Sequence, residues 1–150
     1  MYYCSNVWAN TTNKNVIKLQ AVQKFTYRIF SGAKKYDHVT PLLKSLSCLP
    51  VKDQLYYRQA IKAFKCMTGQ APEYLTSQFI TREQLSERTT RNSQKLNIPL
   101  FRTASRQRTF YYRTVKLWNN LESFLKVSSS VEILKQSLRS QLLDNFENTS

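Results

Sequence analysis

Arginine and lysine side chains that can bind phosphate are concentrated in one segment of the chain. Between residues 82 and 116 there are nine of them and two acidic residues, which gives the segment a net charge of +7, half of the chain's +14. Seven of the nine are arginines, and a planar guanidinium can bind a phosphate through two parallel hydrogen bonds, which a lysine ammonium cannot. We therefore expect this segment to bind a polyanion. Its basic residues are Arg82, Arg88, Arg91, Lys95, Arg102, Arg106, Arg108, Arg113 and Lys116.

Aromatic side chains lie among these basic residues, at Phe101, Phe110, Tyr111 and Tyr112. An aromatic face can stack on an unpaired base, which contributes about 1–3 kcal/mol per base. Helical spacing places Phe110 in the core, whereas Tyr111 and Tyr112 are compatible with either the core or a binding surface. Arginines interleaved with aromatic residues favour binding to single strands or helix junctions over contacts with a duplex backbone alone. Tyr112 therefore joins the nine basic residues as a candidate contact to nucleic acid.

Residue types that would support catalysis or metal binding are sparse. The single histidine has no cysteine or carboxylate partner at metal-ligand spacing, no C-x-x-C pair is present, and no aspartate stands beside another acid. Two-metal polymerases and nucleases need clustered carboxylates, and nucleophilic catalysis needs a positioned base. The sequence therefore predicts no catalytic residue, no metal site and no cofactor in this chain. The residues concerned are His38, Asp37, Asp53, Asp144, Cys4, Cys48 and Cys66.

The overall charge restricts the class of partner. A surface this basic repels itself unless a polyanion neutralises it, and the candidate polyanions are DNA, RNA and an anionic membrane. No run approaches the ~18 apolar residues that a membrane helix needs, and residues 1–10 lack the pattern of a signal peptide. Three widely spaced cysteines fit a reducing compartment. We expect RNA or DNA as the partner, no membrane, and an intracellular, nuclear location.

Three other interpretations of the charge stay open. The chain is a free-standing helical DNA-binding protein if a helix over residues 110–121 reads bases through Arg113, Lys116 and Asn120. It is an interaction domain if its charge meets an acidic protein. It is simply a basic soluble domain if no polyanion binds to it.

Helices are the elements expected to position these side chains. Only two glycines and four prolines occur, which disfavours turn-rich sandwiches and barrels. Apolar residues at spacings of three and four predict helices over residues 16–31, 51–68, 110–121 and 130–143, with shorter ones after Thr40 and Pro72. The first of these helices is expected to bury Leu19, Val22, Phe25 and Ile29.

We expect a mainly α fold, a small helical domain of five to six helices with one short β-hairpin near residues 95–111. Leu96, Ile98 and Leu100 alternate with other residues along 95–102, and residues 107–111 are the expected partner strand. Three parts follow along the chain and together form one domain. They are an N-terminal helical part at residues 1–79, a basic loop and hairpin at 80–109, and a C-terminal helical part at 110–150.

Several short motifs, none of them specific alone, occur in an order that resembles one family. The series is similar to the region that follows the polymerase core in the reverse transcriptases of LINE-type non-LTR retrotransposons. It extends from residue 3 to about residue 138 and so covers nearly the whole chain. The main motifs are residues 3–10 (YCSNVWAN), 28–32 (RIFSG), 71–75 (APEYL), 108–110 (RTF) and 117–121 (LWNNL).

The resemblance implies a nucleic-acid-binding C-terminal fragment, on the thumb side of the palm, of an RNA-directed DNA polymerase. The family's metal-binding aspartates belong to a palm that lies upstream of every matched motif. This chain is therefore expected to be inactive alone, and only the parent polymerase would use Mg²⁺. The implied partners are RNA, DNA and that palm, and the basic motif positions are carried over as candidate contacts.

Overall fold

Helices make up most of the chain. The computed structural model describes residues 2–86 and 91–148. Those residues contain four helices of 11 to 19 residues and six of four or six residues, which confirms the mainly α class. There are more than the expected five to six helices because short helical turns fill the connections between the long ones. In chain order they are α1 (Ser5–Trp8), α2 (Asn13–Ser31), α3 (Thr40–Ser45), α4 (Val51–Met67), α5 (Glu73–Thr76), α6 (Arg82–Leu85), α7 (Ala104–Gln107), α8 (Phe110–Asn120), α9 (Ser123–Lys126) and α10 (Val131–Asn148).

The expected β-hairpin near residues 95–111 is wrong. In the described part of the chain, strand-like pairing consists of one antiparallel bridge between Thr81 and Leu96. Residues 107–111, the expected partner strand, belong instead to α7, α8 and the turn between them. At the start of α7, Thr103 Oγ1 accepts the N–H of Arg106 at 3.4 Å, which satisfies a first-turn donor and favours the helix. Burial along 95–102 does not follow a strand face either, because Leu96 is 1% exposed and Leu100 is 100% exposed.

The chain forms two compact units, residues 1–57 with 135–150, and residues 58–134. The first unit contains α1, α2, α3, the start of α4 and most of α10. Its buried apolar cluster joins the end of α1 to the first turns of α4, and partly buried residues from α1, from α2 and from the segment before α1 pack against it. The cluster consists of Ala9, Val51 and Leu55, with Tyr2, Trp8, Val16 and Leu19 around it.

Two glutamines fix α2 within the first unit. Gln20 Oε1 accepts the backbone N–H of Val51 at 2.7 Å, and Gln23 Nε2 donates to the carbonyl oxygen of Leu49 at 3.0 Å. Val51 is the first residue of α4, so Gln20 satisfies one of the N–H groups that a helix leaves without an internal partner. The two amides also pair with each other, Gln20 Nε2 donating to Gln23 Oε1 at 2.7 Å. A polar stripe of α2 therefore faces the interior.

The predicted buried face of α2 is wrong for the same reason. Val22, Phe25 and Ile29 are 55%, 63% and 65% exposed, and only Leu19 is half-buried. The prediction followed the apolar period, whereas the hydrogen bonds of the two glutamines turn another side of the helix inwards. The helix itself is present, and its apolar stripe faces outwards.

In the second unit, residues 58–134, the later part of α4 packs on α8. The rings of Phe64 and Trp118 lie 6.4 Å apart at 53°, and Gln59 Nε2 donates to Thr114 Oγ1 at 3.3 Å. The spacing of Phe110, Leu117, Trp118 and Leu121 predicts one apolar side, and the last three of these are buried, whereas Phe110 is half-buried. Other buried members of this core are Ala60, Ala63, Leu96, Val115, Leu125 and Leu134.

None of the helices in residues 2–86 and 91–148 is both long and apolar enough to cross a bilayer. The longest, α2, carries four basic side chains among its 19 residues. Four charges in one helix make burial in hydrocarbon costly.

Candidate nucleic-acid interface

Nine of the ten candidate contacts lie in the described part of the second unit, and Arg88 falls outside the described residues. Three of the nine, Arg82, Tyr112 and Arg113, are half-buried. The other six are exposed, as a phosphate contact requires. These are Arg91, Lys95, Arg102, Arg106, Arg108 and Lys116.

Four side chains near α7 and α8 form a row in which two aromatic rings lie between two cations. The rings of Phe101 and Tyr112 are 5.9 Å apart and tilted by 40°. The Arg106 guanidinium carbon lies 5.9 Å from the centre of the Phe101 ring, and Lys116 Nζ lies 5.1 Å from the centre of the Tyr112 ring. We call this row, Arg106–Phe101–Tyr112–Lys116, the cation–aromatic ladder. It combines two groups that can bind phosphate with two that can stack on a base.

Local hydrogen bonds hold the ladder in place. Gln107 Nε2 donates to the carbonyl oxygen of Phe101 at 2.8 Å, which ties the segment before α7 to the end of that helix. Thr109 Oγ1 donates to the carbonyl oxygen of Arg106 at 2.7 Å in the turn before α8. Tyr112 and Lys116 are four residues apart in α8, so they lie on one face of that helix. The ladder is thus built on the corner between α7 and α8.

The two tyrosines whose role the sequence left open differ in their surroundings. Tyr111 packs on Phe79, with ring centres 5.4 Å apart, and burial raises the pKa of its phenol. Tyr112 belongs to the ladder and reaches the surface beside Lys116. Tyr111 is therefore a packing residue, and Tyr112 is the tyrosine in position to contact a ligand.

In the structure, α8 presents fewer exposed side chains for reading bases than the sequence suggested. Arg113 is half-buried, and that burial lowers the pKa of its guanidinium. Lys116 lies over the Tyr112 ring and belongs to the ladder. Of Arg113, Lys116 and Asn120, only Asn120 is both exposed and outside the ladder. A recognition helix needs several freely presented side chains at the groove, so this geometry favours the ladder over α8 alone as the ligand-binding feature.

A second basic group involves Lys95 and a lysine that the sequence analysis missed. Burial, and after it the positive charge of Lys95, lower the pKa of Lys126. Lys126 Nζ donates to the backbone carbonyl of Asn119 at 3.3 Å, which holds the ammonium group near the end of α8. Lys126 stands alone in the sequence, 31 residues from Lys95, so no spacing rule pointed to the pair.

Asn119 supports this region through both ends of its side-chain amide. Its Oδ1 accepts the N–H of Leu96 at 2.9 Å, and its Nδ2 donates to the carbonyl oxygen of the same residue at 2.9 Å. The backbone on either side of Leu96 is held as well, because Arg82 N–H donates to the Lys95 carbonyl at 3.0 Å and Asn97 N–H donates to the Ile80 carbonyl at 2.9 Å. The position of Lys95 is therefore set by an asparagine in α8.

Metal-binding geometry is missing from the part of the chain that the structure describes, where no three side chains of His, Cys, Asp or Glu cluster in a way that could hold an ion. His38 is exposed. Asp53 is half-buried in the first turn of α4, and burial raises the pKa of its carboxyl group. That no catalytic residue is present stays a prediction.

Comparisons with protein-family models, with curated proteins and with solved structures found no match to this chain. The resemblance to LINE-type reverse transcriptases therefore rests on the order of the sequence motifs alone. What the molecule offers for a functional argument is the ladder and the exposed basic residues around it.

Proposed function

We propose that the second unit binds single-stranded nucleic acid through the cation–aromatic ladder and the exposed basic residues of the same segment. The ladder carries this proposal because it presents base-stacking and phosphate-binding groups side by side. A single strand offers both partners at once, since its bases are unpaired and its phosphates follow at regular intervals. A duplex offers the phosphates, but its bases are already stacked.

The cations of the ladder do not exclude a base from the rings. A cation over an aromatic ring at an exposed site contributes about 0.5–1 kcal/mol, less than the ~1–3 kcal/mol of a stacked base. Arg106 and Lys116 are both exposed, so each side chain has room to move from the ring to a phosphate. Binding would then exchange two weak internal contacts for stacking and two charge-assisted hydrogen bonds.

The wider proposal is that this chain is the nucleic-acid-binding, post-palm region of a LINE-type reverse transcriptase. The ordered motifs support that identity, and the ladder supports the binding role. In this proposal the upstream palm supplies the Mg²⁺-binding aspartates and the chemistry of RNA-directed DNA synthesis. This chain would hold template RNA, primer or target DNA beside the palm.

Replacing Arg102, Arg106 and Arg108 together with alanine is expected to weaken binding to a labelled single-stranded RNA and to make it less sensitive to salt. Each phosphate contact to a single strand contributes about −0.7 to the slope of log K against log salt concentration. Loss of three contacts should therefore make the slope shallower by about 2. Fluorescence anisotropy between about 50 and 200 mM salt measures both quantities, with single-stranded DNA and duplex DNA titrated in parallel.

A matched control separates the arginine cluster from the general charge of the protein. Lys34, Lys35 and Lys52 are exposed residues of the first unit, and their replacement with alanine removes the same three charges. We expect the control to keep nearly the salt slope of the unmodified chain. Equal changes in both triple variants, or no binding at low salt by a folded protein, would contradict the proposed interface.

Primer extension on a primed RNA tests the wider identity. The chain alone is expected to extend no primer, because the palm carboxylates that hold the catalytic metal ions are outside it. A palm-containing polymerase run on the same template shows that the assay works. DNA synthesis by the purified chain alone would contradict its assignment as a fragment without the palm, while leaving the binding result standing.

A further inference from the structure

The outer face of α2 carries a row of exposed apolar side chains. Ile17, Phe25 and Ile29 are 68%, 63% and 65% exposed, and Val22 beside them is 55% exposed. Ile17, Ala21, Phe25 and Ile29 follow one another at intervals of four, so they form one ridge along the helix. The opposite side of α2 is held to its own unit through Gln20 and Gln23. Among the described residues of that unit, the apolar ridge is left mainly exposed.

The charge beside this ridge has one sign. Lys14, Lys18 and Lys24 are exposed, and α2 contains no acidic residue, including in its first turn, where acidic residues are favoured. No acidic residue occurs before Asp37. Lys14, Lys18 and Val22 form the neighbouring ridge at intervals of four, so the first half of the groove between the ridges is lined by two ammonium groups.

We propose that this groove binds an amphipathic helix of a partner protein. The partner's apolar residues would pack between the two ridges, where the small side chain of Ala21 permits close approach. Its carboxylates would pair with Lys14 and Lys18, near the positive end of the α2 dipole. This surface lies in the first unit and is independent of the proposed nucleic-acid interface.

The arrangement of charge favours an acidic helix over a bilayer or a second copy of the chain. On a helical projection, Lys14 and Lys18 fall between Ile17 and Ile29, within the apolar arc and not at its edges. A bilayer would have to bury these ammonium groups or draw them out of the hydrocarbon, whereas a helix can place glutamates opposite them. Two copies packed in parallel through this face would bring lysines near lysines, and an antiparallel pair would leave Lys14 and Lys18 without carboxylate partners, because α2 contains no acidic residue.

A charge-swap experiment with the full chain tests the proposal. The probe is a labelled peptide of about 20 residues, long enough to form a helix, with leucine at heptad positions a and d and glutamate at e and g. A second peptide has lysine in place of every glutamate. We expect the unmodified chain to bind the glutamate peptide, and Lys14→Glu with Lys18→Glu to weaken that binding about 10-fold or more while creating affinity for the lysine peptide. Acidic residues near a helix N-terminus are favourable, so α2 is expected to remain folded in this variant.

Two further variants make the result specific to the groove. Lys34→Glu with Lys35→Glu changes the net charge of the chain equally but lies outside α2, and it is expected to keep the preference for the glutamate peptide. Phe25→Gln removes an apolar contact and should weaken binding of the glutamate peptide to the unmodified charges. Similar loss in both charge-swap variants, or binding of both peptides alike, would overturn the proposal. Binding to phosphatidylserine vesicles without peptide binding, or a dimer by sedimentation that Phe25→Gln dissociates, would also overturn it.

Discussion

Replacing Phe101 and Tyr112 together with leucine is expected to lower the affinity for single-stranded RNA about 30-fold or more, with little change in the salt slope. Base stacking contributes about 1–3 kcal/mol per ring, so the loss of two rings costs at least about 2 kcal/mol. That is about 30-fold in the dissociation constant. Leucine keeps the half-buried apolar contacts of the two positions, and no charge changes, so counterion release should remain as it was.

This double variant and the triple arginine variant are expected to change different measured quantities. The arginine variant is expected to change the salt slope, and the aromatic variant is expected to change the affinity at constant slope. Phe124→Leu with Tyr74→Leu is the control, because both residues are exposed in the second unit and neither belongs to the ladder. With duplex DNA, the aromatic variant and its control should differ little, since the bases of a duplex are not available to stack. Unaltered affinity for RNA in a folded Phe101/Tyr112 variant would remove the ladder from the binding site.

Replacing Asn119 with leucine is expected to lower the free energy of unfolding by about 2–4 kcal/mol. The substitution removes both hydrogen bonds to Leu96, each of which spans 2.9 Å. Leu96 is 1% exposed, so its N–H and carbonyl oxygen would be left away from water, at about 1–3 kcal/mol for each unsatisfied group. Urea denaturation followed by circular dichroism measures the change, with the m-value checked for two-state behaviour.

The neighbouring residue provides the control for this prediction. Asn120 is exposed, and Asn120→Leu makes the same chemical change one position along α8. We expect it to alter the free energy of unfolding by less than about 0.5 kcal/mol, as is usual for surface positions. An Asn119→Leu variant as stable as Asn120→Leu would mean that the paired hydrogen bonds to Leu96 contribute nothing measurable to the fold.

The long helices were predictable from the sequence because their signals are local. Apolar spacing located α4 and α8 closely, and the buried positions 117, 118 and 121 followed from the same period. Which side of α2 faces inwards was not predictable in this way. It depends on Gln20 and Gln23 reaching Val51 and Leu49, 31 and 26 residues further along the chain. Periodicity contains no information about such long-range polar contacts.

The hairpin prediction failed because the backbone of Leu96 bonds to the side chain of Asn119 and not to a partner strand at residues 107–111. An apolar residue that alternates with polar ones is usually paired with a neighbouring strand, but Leu96 has both backbone groups bonded to the amide of Asn119. Thr103 was a signal for the start of a helix that the strand interpretation passed over.

For the candidate site, the sequence identified the basic segment and Tyr112, because arginine density and aromatic interleaving are visible in one dimension. The ladder itself depends on how Phe101 and Arg106 fold back towards α8. Lys126 was missed because only folding brings its ammonium near the charge of Lys95. Composition thus located the candidate binding segment, and tertiary structure is needed to show which of its side chains lie together.

The ladder draws its four members from a stretch of 16 residues that holds its shape through the bonds of Gln107 and Thr109. A ligand that engages all four can bind only those molecules in which this corner is formed. If the corner were formed in about one tenth of the molecules, the apparent dissociation constant would be about ten times the intrinsic one. Under the proposed function, Gln107 and Thr109 would therefore set the affinity for a ligand through the population of the competent conformation, and occupancy by the ligand would raise that population in return.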